Sequence, residues 1–188
     1  LIDQALPGKG DVRTRYQTWQ KSMLFKATQP DEILPIVKFM LAEARKRTEA
    51  LIGTLEDELD IQIIRSANYG AANWYLGNYK SRMELNLDRP VYLFALLYQM
   101  CHEAYPGHHT EACLKEKYIY QGKGYQEQSV FFTLGPQLTI SEGIASLAME
   151  MIFSSREAAE WITEYLGHLF KPEFMDADLE LLLRAFSI

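Results

Sequence analysis

The chain has 188 residues, 48% of them hydrophobic and 23% charged, which is ordinary for a globular protein able to bury one sizeable core. A formal net charge of -6 supplies no basic field to hold a phosphate backbone, so nucleic acid is not an expected partner. The longest apolar runs, such as Val91 to Met100, fall well short of the roughly 20 residues needed to cross a bilayer, so no membrane partner is expected either.

From Asp11 to about Ala27, Tyr16, Trp19 and Leu24 recur at roughly helical spacing, and a short amphipathic helix is predicted. A long helix follows. Asp31 and Glu32 place acids in its first turn, Ile36, Val37, Met40, Leu41, Ala44, Leu51 and Ile52 recur at steps of three and four, and it ends near Gly53 or Leu59. The β-branched run 61–65 reads as a strand. So does 81–87, where Met83, Leu85 and Leu87 alternate with Arg82, Glu84 and Asn86. Residues 70–77 between them are aromatic and glycine-containing and read as a loop or hairpin connection. Asp88-Arg89-Pro90 stops the second strand and starts a helix. Helical patterns then cover 91–105, 108–120, 127–134, 137–153, 156–170 and 173–185. The expected fold class is mainly α with a small β-sheet.

The chain opens at Leu1 and closes at Ile188 directly after an apolar helical pattern, so one domain over 1–188, cut from a longer polypeptide, is expected. Cys101 lies beside His102 in an apolar helical run and Cys113 stands apart from it. A disulfide framework is not expected, and a reducing, cytoplasmic setting fits better.

Three of the four histidines fall between 102 and 109, and His102 is followed at once by Glu103. In the zinc-peptidase pattern H-E-x-x-H, two histidines one helical turn apart bind the metal and the Glu polarises water. Here the residue four after His102 is Pro106, which offers no ligand atom. On a straight helix His108 would sit roughly 120° round from His102, and His109 on the same face but about 10 Å further on. Proline interrupts the helical hydrogen-bond ladder and glycine admits unusual backbone angles, so Pro106-Gly107 is expected to break the helix and return His108 to the ion. Whether His108 or His109 is the second ligand stays open on spacing. A catalytic zinc site needs a third protein ligand, for which the best candidate is Glu142, at the start of an apolar helical run where packing gives a carboxylate no reason to be. Tyr69, Tyr75, Tyr79 and Tyr105 are candidates to hold an oxyanion. His168 reads as structural. An edge strand carrying Arg82 and Glu84 is a candidate to pair with an extended peptide.

His102-Glu103-Ala104-Tyr105-Pro106-Gly107-His108-His109, followed by Ser141-Glu142-Gly143-Ile144-Ala145, resembles a bacterial family known as domain of unknown function 885, whose members carry His-Glu-x-x-Pro-Gly-His and Glu-Gly-Trp-Ala motifs. The resemblance spans about residues 60 to 160, and Ile144 stands where the family has Trp. It implies a zincin-like helical metallopeptidase core, a Zn²⁺ cofactor held by His102, His108 and Glu142, Glu103 as general base and a peptide substrate. His109 and Tyr105 would then be substrate contacts or groups supporting the ligands. Two rivals remain: another metal-dependent enzyme, such as an esterase, an amidase or a non-haem iron enzyme with the same two-His, one-carboxylate set, and a non-catalytic helical module whose structural metal takes His109 as a fourth ligand.

Overall fold

The structure, a computed structural model, describes residues 2–25, 29–132, 135–169 and 177–186. It is mainly helical with two small sheets. The chain clusters into two compact units, one of Leu1–Lys26, Pro90–Ala95 and Phe153–Ile188, the other of Ala27–Arg89 and Leu96–Ile152.

In the first unit, α1 (Ile2–Ala5) and α2 (Val12–Ser22) precede a two-residue strand β1 (Leu24–Phe25). Asp11 caps α2 by accepting from the Thr14 N–H at 2.9 Å. β1 pairs antiparallel with β5 (Val91–Tyr92), so the helix predicted from 91 begins two residues later than expected. Two C-terminal helices complete the unit: α7 (Ser155–Leu166), opened by a Ser154–Glu157 capping box, and α8 (Leu179–Phe186). Their apolar faces pack together through Trp161, Ile162, Leu182 and Leu183, all buried. The N-terminal part of the pattern 173–185 lies outside the described residues.

The second unit opens with α3 (Pro30–Ile52). Proline at its first position is pre-set for a helix, and the Glu32 carboxylate accepts from the Gln29 N–H at 3.0 Å. Its buried stripe is Ile33, Val37, Met40, Leu41, Ala44 and Thr48, and Gly53, at φ 89°, ends it in a conformation that only glycine adopts freely.

Beyond it lies a three-stranded sheet of β2 (Glu58–Ile64), β3 (Ala71–Gly77) and β4 (Lys80–Asn86), in the order β2-β4-β3. β4 runs parallel to β2, with Glu58 opposite Lys80, and antiparallel to β3, with Ala71 opposite Leu85. The segment 70–77, predicted as a connection, is therefore largely strand. Its aromatic residues suit a pleated half-buried surface, and it closes on a two-residue turn in which Asn78 and Tyr79 both have positive φ, 53° and 59°, the geometry that fits a twisted hairpin. β4 is the central strand, so Arg82 and Glu84 do not lie on an edge, and the sheet's edges are β2 and β3. Glu84 is taken up by the Tyr69 hydroxyl at 2.6 Å, the Trp74 indole N–H at 2.9 Å and Arg82 at 3.0 Å.

The rest of this unit is helical: α4 (Leu93–Glu103), whose residues from Leu96 on belong here, then α5 (His108–Lys115), which runs into a π-helical turn at Glu116–Gln121, a 3₁₀ turn at Gln126–Ser129, and α6 (Pro136–Ile152). The single helix predicted over 108–120 is thus α up to Lys115 and wider beyond. Only a short turn stands in the pattern 127–134, whose last two residues lie outside the described set. Cys101 and Cys113 are both free and buried. No helix among the described residues is long and apolar enough to cross a membrane.

Candidate metal centre

α4 stops at Glu103 and α5 starts at His108, so the chain breaks where Pro106-Gly107 predicts. The Tyr105–Pro106 peptide is cis. The Gly107 N–H donates to the Cys101 carbonyl at 2.9 Å, and a Cβ at position 107 would lie 1.9 Å from the carbonyl oxygen of His102. Only glycine allows so close a return of the chain. The return brings the His102 and His108 rings to a centroid separation of 4.8 Å at 90° to each other.

Glu142, on the second turn of α6, reaches both rings. Its Oε2 lies 3.4 Å from His102 Nε2 and its Oε1 lies 3.4 Å from His108 Nε2. One ligand atom from each of the three residues falls within 4.8 Å of the others. Two donors each 2.0–2.1 Å from a tetrahedral ion stand about 3.4 Å apart, the spacing each ring keeps to its own oxygen of Glu142. Burial lowers the pKa of both histidines. At His102 the neighbouring His108 lowers it further, and Glu142 opposes the shift at both rings. Nε2 of each ring can meet the carboxylate either by donating an N–H to it or by sharing a cation with it, and two imidazoles with a carboxylate are the donors a borderline metal ion takes, so the set fits one.

Glu103, 7% exposed, lies beside this group in a cleft of about 790 Å³ in the second unit. Burial pushes its carboxyl up to about 7, the charge of Glu142 adds to this, and a hydrogen bond from the Asn73 backbone partly offsets it. One wall of the cleft is β3, from Ala71 to Tyr75, one of the two edge strands of its sheet, and Tyr120 and Phe131 line it elsewhere. His108 is held from behind: its Nδ1 is 3.1 Å from Ser141 Oγ, whose hydroxyl donates to Glu111 Oε2 at 2.5 Å. Glu111 also pairs with Lys115 at 2.5 Å.

His109 and Tyr105 do not line the cleft. His109 is fully buried and turned away from His108, with Nε2 2.7 Å from Asp57 Oδ2 and Nδ1 2.7 Å from Ser81 Oγ. The Tyr105 hydroxyl donates to the same Asp57 oxygen at 2.5 Å, and Arg45 pairs with the other at 2.7 Å. Burial alone would raise the Asp57 carboxyl, but hydrogen bonds from His109 and Tyr105, with the charge of Arg45, hold it below its ordinary value. Consecutive helical residues point about 100° apart, which is why His108 can face the cleft while His109 faces the core. Tyr69, Tyr75 and Tyr79 are likewise bonded, to Glu84, Glu116 and Gln121, and of the four tyrosine candidates only Tyr75 lines the cleft.

Asp57, Ser81, Glu111 and Ser141 are not singled out by the sequence reading. Two of them carry a local signal, since Glu111 is one helical turn beyond His108 and Ser141 is the neighbour of Glu142. No family model, curated protein or solved structure matches the chain.

Proposed function

We propose that this chain carries the catalytic core of a zinc-dependent hydrolase acting on peptide bonds, with a zincin-like arrangement in which His102, His108 and Glu142 hold Zn²⁺ and Glu103 is the general base. The observation that carries the reading is the convergence of two imidazoles and a carboxylate, with one ligand atom of each within 4.8 Å of the others, beside a buried second carboxylate that lines the same cleft. The motif resemblance to the domain of unknown function 885 family points the same way. So does the identity of the ligands, because two histidines and a carboxylate leave a tetrahedral position free for water, as catalytic zinc sites do.

Bound there, Zn²⁺ would lower the pKa of water toward 7 and polarise a carbonyl. Glu103 would serve there as the base that takes a proton from the attacking water and as the acid that returns it to the departing nitrogen as the C–N bond breaks, leaving a carboxylic acid and an amine. Peptide is favoured over other acyl substrates because β3 is an edge strand along the cleft, where, beyond the Asn73 N–H that Glu103 accepts, an extended backbone can add by main-chain hydrogen bonds. A structural zinc site with His109 as fourth ligand is disfavoured by the commitment of that ring to Asp57 and Ser81. An iron enzyme would use the same three ligands, and a carboxylate beside the first histidine is what hydrolysis, rather than oxygen activation, requires.

The test is elemental analysis of the purified chain together with hydrolysis of an unbiased peptide mixture. Zinc at one equivalent, and cleavage lost in Glu103→Gln while zinc stays bound, is the expected result. Iron in place of zinc, or cleavage undiminished in the variant, would overturn the reading.

A further inference from the structure

α5 and α6 face each other with matched residues. His108, Glu111 and Lys115 lie on one face of α5, and Ser141 and Glu142 are consecutive on α6. The contacts form a single file: Lys115 Nζ to Glu111 Oε1 at 2.5 Å, Glu111 Oε2 to Ser141 Oγ at 2.5 Å, and Ser141 Oγ to His108 Nδ1 at 3.1 Å. Ser141 is 2% exposed and the Glu111 side chain 10%, so the Glu111–Ser141 link is sheltered, while the Lys115 side chain, 27% exposed, is partly open to water.

The direction of each bond follows from donor inventory. A carboxylate only accepts, so the one hydroxyl hydrogen of Ser141 goes to Glu111. Its oxygen then has only lone pairs to offer His108, and Nδ1 must carry the hydrogen. A neutral imidazole with hydrogen on Nδ1 has its lone pair on Nε2, the atom that faces Glu142.

We infer that Glu111, acting through the Ser141 hydroxyl, is a positioning residue that fixes His108 in its metal-binding tautomer, and that Lys115 sets the direction of the relay. The inference rests on the proposed metal site for its purpose but not for its geometry. It gives Glu111→Gln a specific consequence. Lys115 orients the new amide with its oxygen toward the ammonium, leaving the NH₂ group to face Ser141. The hydroxyl must then accept from the amide and donate to Nδ1, which moves the ring hydrogen to Nε2 and blocks the ligand position.

The experiment is long-range ¹H–¹⁵N spectroscopy of the metal-free 188-residue chain labelled at histidine, with His108 assigned from a His108→Asn variant, followed by zinc titration against a chromophoric chelator. The metal-free wild type is expected to carry a hydrogen on Nδ1 of His108, whether or not Nε2 also carries one toward Glu142, and Glu111→Gln to lose the Nδ1 hydrogen in favour of the Nε2–H form. Supporting partners of ligating histidines typically contribute 10–100-fold to metal affinity, so Glu111→Gln and Ser141→Ala should weaken zinc binding by about that factor while Ser141→Thr stays near wild type. A predominant Nε2–H form in the wild type, or zinc affinity unchanged in both weakened variants, overturns the relay. If the wild type binds no zinc, the hydrolase reading fails, and the spectra of the metal-free chain still decide the tautomer.

Discussion

Tyr105 and His109, on opposite sides of the chain break at Pro106-Gly107, hydrogen-bond to the same oxygen, Oδ2 of Asp57, at 2.5 and 2.7 Å. The break that turns His108 toward the cleft is thereby fastened from the core side by one buried carboxylate, whose other oxygen holds Arg45 on α3.

Asp57→Asn is expected to lower stability by about 2–3 kcal/mol, since hydrogen bonds to a charged group contribute about 1.5–3 kcal/mol each and the amide keeps some of them. The pH dependence has a definite sign. The folded-state pKa of Asp57 lies below its ordinary 3.8, so its contribution is complete above that value and is lost as pH falls through the lower, folded-state value. Urea unfolding of both proteins at pH 7, 5 and 3 should give the same gap at the first two and a smaller one at the third. A gap already closed at pH 5 would contradict the assignment.

Gly107→Ala forces a methyl group against the His102 carbonyl at 1.9 Å, an overlap that neither backbone can relieve without moving a candidate ligand. Overpacking of this kind costs about 1–3 kcal/mol or more, so thermal unfolding should show a clear loss of stability accompanied by weaker zinc uptake. An alanine variant as stable as wild type and with full metal affinity would mean the chain passes this point differently.

Zinc binding should stabilise the fold through mass action. A ligand at 100 times its dissociation constant contributes about 2.7 kcal/mol, visible as a rise in Tm on adding zinc to chelator-treated protein. That rise should disappear in His108→Ala and in Glu142→Ala. Glu142, with its side chain 49% exposed, is the more informative of the two because its removal disturbs little packing.

If substrate pairs with the outer side of β3, methylating single backbone nitrogens of a peptide away from the cleaved bond should raise KM with little change in kcat. One lost main-chain hydrogen bond, at about 0.5–1.5 kcal/mol, corresponds to roughly two- to tenfold. Uniform tolerance to methylation along the peptide would point to recognition by side chains alone.

The candidate ligands were partly legible in the sequence because metal chemistry restricts residue types: His102 and Glu142 stand out against apolar helices and Pro106-Gly107 marks a turn, while the choice between His108 and His109 stayed open on spacing. The long helix α3 showed its ends through Asp31, Glu32 and Gly53 and its face through evenly spaced apolar residues. β3 was hidden, because Trp74-Tyr75-Leu76 shows no clean alternation of character and the positive φ at Tyr79 belongs to a residue type that rarely signals a turn. The role of His109 could not be read at all. Its partners Asp57 and Ser81 lie 52 and 28 residues away, and their approach depends on β2, β4 and α5 already being in place.

The adjacency of Ser141 and Glu142 on α6 ties two jobs to a single rigid rod. Rotating α6 by one residue would remove the carboxylate from the imidazoles and, in the same movement, strip His108 of its hydroxyl neighbour. Loosening α6 from α5 would therefore withdraw the Glu142 carboxylate and the hydroxyl partner of His108 in one movement, so the proposed centre depends on that helix pair as a unit.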